Sequence, residues 1–176
     1  MFYVTISYLL KVIKMTIKEN EQLPEAKLFE YNDQKINSFD LSKVIKEKKI
    51  VIFAVPGAFT PTCSEKHLPG YVSNAQNFFE KGIDELWCLA VNDPFVMYAW
   101  GLVGKSLSSI RMVSDGNCEL TKKLGFAKDI GVIGLGLRSM RYAMVVENGK
   151  VSSVFVEDDP GKLEKSDANS VLASLQ

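Results

Sequence analysis

Residues 50–63 read IVIFAVPGAFTPTC. The first six form a continuous β-branched and aromatic run, the pattern of a strand buried on both faces rather than wet on one. Pro56 and Gly57 end it. Beyond Pro61, which suits a helix start, apolar residues recur at Tyr71, Ala75, Phe78 and Phe79, the i, i+4, i+7, i+8 spacing of one helix face. Pro69 and Gly70 fall inside that pattern and predict a kink or brief break. Gly82 predicts its end.

The same alternation continues down the chain. Residues 85–91 (ELWCLAV) make a second buried strand, and Asn92, Asp93 and Pro94 cap a helix running towards Gly101. Residues 110–113 form a third, short strand, followed by the turn Ser114-Asp115-Gly116-Asn117 and a short helix ending before Gly125. Residues 142–147 and 151–156 are two strands joined by Asn148-Gly149, a hairpin signal. Residues 169–175 close the chain as a helix. Gly131, Gly134 and Gly136 stand in the wrong order for a dinucleotide fingerprint and follow no strand, so they read as a loop. The result is an α/β domain of thioredoxin-like order, a central mixed β-sheet flanked by helices.

Composition bounds the function. The 176 residues are 47% hydrophobic and 24% charged, enough for one substantial core, taken as a single domain over residues 15–176. Twenty-one basic residues balance twenty-one acidic ones, which argues against a nucleic-acid binder relying on a general basic field. The three cysteines, Cys63, Cys88 and Cys118, are odd in number and widely spaced, unlike a secreted disulfide framework. A reducing interior, the cytoplasm, is expected. With a single histidine they make no convincing metal site. Residues 1–14, MFYVTISYLLKVIK, hold an uncharged stretch too short to span a membrane, and their lysines follow the apolar run where a signal peptide would place them first. This segment is expected to be a dispensable extension, or Met15 the natural start, in preference to a surface anchor or targeting segment.

Cys63 lies in the first turn of its helix, where free backbone N–H groups and the helix dipole favour an anion. The thiolate is the reactive form of cysteine. Thr60, one turn upstream, can bring its hydroxyl to the sulfur and then to an incoming oxygen, while Pro56 stiffens the turn. By position alone a buried structural cysteine is equally admissible. His67, the only histidine, follows Cys63 by four residues and shares its helix face. It could serve as a base, as in a cysteine hydrolase, but such enzymes usually bring histidine from elsewhere in the fold; packing at the site is the preferred reading. A dithiol oxidoreductase is disfavoured because the C-x-x-C partner position is Lys66.

Residues 56–71, PGAFTPTCSEKHLPGY, contain Pro56-x-x-x-Thr60-x-x-Cys63, the active-site pattern of peroxiredoxins. The string 55–71 resembles the peroxiredoxin-5 subfamily, also called type II or atypical. Residues 88–96 with Trp100, the turn 114–117 and residues 138–146 match as well, so the resemblance covers about residues 15–160. It implies a thiol peroxidase acting on hydrogen peroxide and alkyl hydroperoxides, in which Cys63 attacks one peroxide oxygen and becomes a sulfenic acid. The departing oxygen needs stabilisation. The family's arginine falls on Arg141, whose planar, permanently charged fork can donate to sulfur and peroxide oxygen together. Arg138 is the neighbouring candidate, as a supporting or dimer-face residue. Only three arginines stand against eighteen lysines, so two within four residues is a concentration; without the resemblance they read as a solvated strand end.

Regeneration is the open step. Some relatives carry a resolving cysteine near the C-terminus, around residues 161–166; here Ser166 stands in that segment and no cysteine does. Plant relatives have one at the position of Cys88. Cys88 alternates with Leu86 and Ala90 on a buried strand, and bonding to Cys63 would need Cα atoms within ~7 Å and local unfolding. Buried packing is preferred. Cys118 replaces a residue usually small in the family and reads as incidental, yet exposed enough to be oxidised. The resemblance thus implies one reacting cysteine, an external thiol reductant (glutathione with glutaredoxin) and no bound metal, flavin or haem. An atypical two-cysteine cycle through Cys88 would use thioredoxin instead. A peroxide sensor or redox relay is a further alternative, whereas the intact Pro56, Thr60, Cys63 and Arg141 set argues against a non-enzymatic binding module. Partners are expected to exclude nucleic acid and membrane and to include a second copy, as a homodimer or monomer–dimer equilibrium through the active-site edge with Phe59, Phe95 and Trp100.

Overall fold

A computed structural model describes residues 16–175; the segment 1–14 and the choice of Met15 as the start lie outside the described residues. The chain begins with a hairpin, β1 (Lys27–Asn32) and β2 (Lys35–Asp40), and a single helical turn, α1 (Leu41–Val44). Strand β3 (Lys49–Ala54) leads through the 55–62 turn into a π-helical turn, Cys63–His67, and helix α2 (Leu68–Glu80). Strand β4 (Glu85–Ala90), helix α3 (Pro94–Val103), strand β5 (Ile110–Ser114) and helix α4 (Glu119–Lys123) follow. Two short strands, β6 (Ala127–Asp129) and β7 (Leu137–Ser139), bracket a 3-10 turn at Gly131–Ile133. The hairpin β8 (Tyr142–Glu147) and β9 (Lys150–Val156) and helix α5 (Ala168–Ser174) complete the fold.

Seven strands form one sheet in the order β2-β1-β5-β4-β3-β8-β9, with β6 and β7 apart from it. Strands β3, β4 and β5 are parallel, while β1, β2, β8 and β9 pair antiparallel. This is the expected α/β arrangement with a mixed central sheet.

The continuous apolar run of β3 has a direct structural counterpart. Val51, Phe53 and Val55 face a core shared with Tyr71 and Phe78 of α2 and Val171 of α5. Ile50, Ile52 and Ala54 face the opposite core, with Trp87, Leu120, Leu124 and Phe126. Each large apolar side chain so buried contributes ~1.5–3 kcal/mol, so this strand anchors both layers. Helix starts follow their caps: Asp93 accepts from the amides of Phe95 and Val96, and buried Asp115 accepts from those of Glu119, Leu120 and Thr121.

Several expectations need correction. The interruption near Pro69 is a π turn ahead of the proline, closed by a hydrogen bond from the Leu68 amide to the Cys63 carbonyl. Pro69 itself sits in the first turn of α2. A proline there lacks an N–H, and its ring crowds the carbonyl four residues back, so the preceding turn widens instead of the helix bending later. Cys118 is buried, 4% exposed, at the mouth of α4 with φ 54°, so it is not a surface thiol. Trp100 is 2% exposed, with its indole N–H on Ser64 Oγ at 3.1 Å, and cannot offer a dimer face; Phe59 and Phe95 are exposed. The hairpin β1–β2 had no strong sequence signal because it is half-wet and turns through Asp33 and Gln34, both at positive φ.

The stacking of Phe53 on Tyr71, ring centres 3.9 Å apart and planes 2° apart, locks β3 to α2. Phe53→Ala is expected to destabilise the fold by about 3–5 kcal/mol. Urea unfolding should show a lowered midpoint at unchanged slope, and a loss below about 1 kcal/mol would contradict two-sided burial of β3.

Candidate active site

The ends of three strands build one cleft. From β3 the backbone passes Val55, whose amide binds the Leu89 carbonyl at 3.0 Å, into the Pro56–Thr60 turn. The Gly57 carbonyl accepts from the Thr60 hydroxyl at 2.8 Å and from its amide at 3.4 Å. Asn92, just beyond β4, accepts from the Ala58 amide at 3.0 Å. These bonds hold Phe59 at φ 62°, with its ring turned to solvent. The Ser64 amide then binds the Thr60 carbonyl at 3.0 Å, the first helical bond. Cys63 lies within this first turn, fully buried. The Thr60 proton is directed at Gly57 and not at the sulfur, which differs from the expected Thr60–Cys63 contact.

Arg141 stands immediately before β8 and is 2% exposed. Its Nε and Nη2 donate to the Pro160 carbonyl at 3.1 and 2.8 Å, and Nη1 donates to His67 Nδ1 at 3.1 Å. A guanidinium can only donate. His67 Nδ1 is therefore the unprotonated nitrogen, and its Nε2–H donates to the Ser166 carbonyl at 3.0 Å. The Tyr71 hydroxyl donates to that same carbonyl at 3.0 Å. Burial, and after it the Arg141 charge, push the His67 pKa down from 6.5 to about 3. A neutral imidazole with its lone pair already engaged is no general base; His67 holds the arginine.

Arg138, on β7, donates from Nε to the Leu135 carbonyl at 2.8 Å. Its Nη1 lies 3.3 Å from where a Cβ on Gly57 would be, so a side chain there would press on the guanidinium. It thus ties the 130–136 loop to the Pro56–Gly57 turn. Among the described residues only Arg111, on the far side of the sheet order, forms arginine ion pairs; Arg138 and Arg141 have no carboxylate within 4 Å. The cleft between these parts holds about 210 Å³. Its walls include Pro56, Thr60, Pro160 and Arg141 on one side and Ile130, Ile133 and Leu135 on the other. Such a space takes a small polar group against the arginine and an apolar tail against the leucine and isoleucines.

Cys88 sits beside Phe53 in the sheet and in the same core as Cys63. Burial pushes its thiol well above the ordinary range, with nearby Cys63 adding to this and Arg141 opposing it. Among the described residues no three His, Cys, Asp or Glu side chains converge on a metal-sized site. Pro56, Thr60 and Arg141 line one cleft, His67 lies against Arg141, Arg138 lies beside the Gly57 turn, and Cys63 is buried in the turn behind Thr62, outside the cleft lining. Asn92, Tyr71 and the carbonyls of Pro160 and Ser166 also belong to the site. Asn92 had carried only a capping reading, and carbonyl acceptors leave no mark in a sequence.

The Redoxin family profile matches residues 18–172. Peroxiredoxin-2D of Arabidopsis thaliana is 42% identical over 147 residues, which is 84% of this chain and 90% of that protein. The crystal structure described as reduced Prx3 in complex with H2O2 from Vibrio vulnificus is 42% identical, covers 92% of this chain and 100% of its own, and superposes with TM-score 0.87. Peroxiredoxin 5 from Alvinella pompejana is 35% identical, with TM-score 0.78, over 90% of this chain and 97% of its own. The chain belongs to the redoxin family and, within it, to the peroxiredoxins, the thiol-dependent peroxidases.

His67 makes stability depend on pH. The unfolded state binds its proton near 6.5 and the folded state only near 3, so stability is full above the upper value and falls as pH drops between the two. The slope contributed is at most about 1.4 kcal/mol per pH unit. Urea midpoints of the wild-type chain should fall across this window, and His67→Gln should flatten that part of the profile. An unchanged slope would contradict a histidine buried neutral.

Proposed function

We propose that this chain reduces hydrogen peroxide and alkyl hydroperoxides through Cys63, and that an external thiol, glutathione with glutaredoxin, regenerates it. The cleft carries the reading: Pro56, Thr60, Pro61, Thr62 and Arg141, which has no carboxylate partner among the described residues, line it, and Cys63 is buried in the helix turn directly after Thr62. In the first step the Cys63 thiolate attacks one peroxide oxygen. An S–O bond forms, the O–O bond breaks, and water or an alcohol leaves after taking up one proton. The oxidised product is the sulfenic acid. Charge growing on the leaving oxygen is met by donors already in place, the Arg141 fork first and Arg138 as support. Fixed donors need no reorganisation at that moment. Pro56 keeps the turn rigid, and the Thr60 hydroxyl, also an acceptor, can receive a peroxide O–H while donating to Gly57.

Glutathione then condenses with the sulfenic acid, releasing water and leaving a mixed disulfide, which a second thiol reduces. What supports this over an internal disulfide is Cys88: its thiol is buried and held neutral, and a neutral thiol is a poor nucleophile. A reducing compartment, the cytoplasm in our reading, would supply the reductant. Phe59, Val132 and Ile133 at the rim of the cleft are exposed and would suit the face of a homodimer. The Vibrio vulnificus relative whose structure is described with H2O2 supports the same substrate here.

Intact-mass analysis of the reduced protein after one equivalent of hydrogen peroxide, with peptide mapping, tests the cycle. One added oxygen on Cys63 is expected, and Cys63→Ser should reduce peroxide consumption to background while Cys88→Ser retains it. Loss of two hydrogens with a Cys63–Cys88 link would instead make Cys88 the resolving thiol and thioredoxin the reductant.

A further inference from the structure

Arg141 owes its orientation to carbonyls that belong to no helix or strand. Pro160 and Ser166 lie in the 158–166 loop, most of which is exposed. Its own turn is slight: Gly161 and Lys162 amides fold onto Asp159, and Lys165 reaches Asp158 at the surface. An exposed pair of that kind is worth little. The loop's inner anchor is the carboxylate of Glu157, a residue 2% exposed at the end of β9. Glu157 Oε1 accepts from the amides of Glu164, Lys165 and Ser166 at 2.9, 2.8 and 2.8 Å and from the Ser166 hydroxyl at 2.9 Å. Charge-assisted bonds such as these are about twice as strong as neutral ones. The main chain of Glu157 also donates to the Arg141 carbonyl at 3.0 Å.

We infer that Glu157 is a positioning residue for Arg141, acting through the loop it gathers. Its carboxylate fixes the backbone at residue 166, whose carbonyl holds His67 and Tyr71, and His67 in turn holds Arg141 Nη1. The gathered loop presents the Pro160 carbonyl to the other two guanidinium donors. Burial alone would raise the Glu157 pKa, but the amides of Ser166, Lys165 and Glu164 outweigh it and hold the carboxyl below its ordinary range. Glu157 is thus ionised at neutral pH. This rests on the proposed role of Arg141 towards peroxide, and it assigns to Glu157, which does not itself line the cleft, control over how fast Cys63 is oxidised.

The test is a double-mutant cycle on the second-order rate of Cys63 oxidation by hydrogen peroxide, with circular dichroism confirming the fold. Glu157→Gln should slow that rate by roughly 10- to 100-fold, the scale of a misplacement near 1 Å. In an Arg141→Lys background the same change should add less than about twofold, because the two residues act along one line. A wild-type rate in Glu157→Gln, or an equal loss in both backgrounds, would overturn the inference. If Glu157→Gln does not fold, Ser166→Ala, which removes only the hydroxyl donor, should slow oxidation about threefold with the same lack of additivity; a wild-type rate or additivity there is equally fatal. A wild-type Cys63 unreactive towards peroxide would instead defeat the peroxidase reading, and the inference with it.

Discussion

A permanent positive charge, Arg141, lies almost wholly inside this protein with no carboxylate beside it among the described residues. Such a charge persists only where fixed dipoles face it. The Pro160 carbonyl takes two of its donors and the lone pair of His67 takes another. The second contact has consequences. An imidazole facing a guanidinium must stay neutral and must carry its proton on the far nitrogen, which then needs an acceptor of its own. Ser166 supplies it, and the Tyr71 hydroxyl shares it. One buried charge therefore dictates a tautomer, a tyrosine rotamer and the path of the backbone at two loop positions. Leaving a buried charge uncompensated costs ~3–5 kcal/mol, more than the ~0.5–1.5 kcal/mol an aromatic pair such as Phe53–Tyr71 adds beyond its area. The electrostatics, more than the ring stacking, decides this corner of the core.

The sheet register delivers the charge to the cysteine. Ala54 at the end of β3 pairs with Tyr142 at the start of β8. The residue before Tyr142 is Arg141, and the chain leaving Ala54 is the turn that ends at Cys63. On the other side Ala54 pairs with Leu89 of β4, three residues before Asn92. Three neighbouring strands thus release Cys63, Asn92 and Arg141 at one end of the sheet. A slip of one residue between β3 and β8 would turn the alternate side chains of β8 to the wrong face. The two-sided burial of β3 forbids that slip, so the packing of Ile50, Val51, Ile52 and Phe53 is also what aligns the site.

How much of this was legible in the sequence depends on whether the signal was local. The strand at 50–55, the Pro56–Cys63 turn, the Asp93 cap and the Asn148-Gly149 hairpin each express a short-range rule, and each stands where the residues put it. Both positive-φ residues of that hairpin, Asn148 and Gly149, are the types the turn demands. The hairpin β1–β2 was missed because β2 is an edge strand and, of the two strands, only Leu28 is buried, so neither carries the apolar run that marks β3. The burial of Cys118 and Trp100 depends on neighbours far along the chain. Apart from their contact with each other, His67 and Arg141 bond main-chain oxygens up to 99 residues away, a group common to every residue type. No pattern of side chains could have pointed to Pro160 or to Glu157.

Two half-reactions of the proposed cycle make opposite demands on the same turn. Attack on a peroxide gains from a closed, dry surround, in which the fixed donors of Arg141 act at low dielectric. Reduction by a tripeptide thiol needs the sulfur in the open, because a second sulfur must approach it in line. Cys63 as it stands meets the first demand only, being fully covered. Among the bonds that hold the covering turn are Leu68 amide to Cys63 carbonyl across the π turn, Ser64 amide to Thr60 carbonyl, Trp100 to Ser64 Oγ and Thr62 hydroxyl to the Gly161 carbonyl. Net contributions of about 0.5–1.5 kcal/mol per hydrogen bond put its opening well below the cost of unfolding the domain. A regular α-helix begun at Pro61 would have been harder to open at this point, since a π turn leaves one carbonyl–amide pairing displaced. The turn that proline at position 69 widens is therefore also the part of the helix best suited to release the sulfur after it has been oxidised.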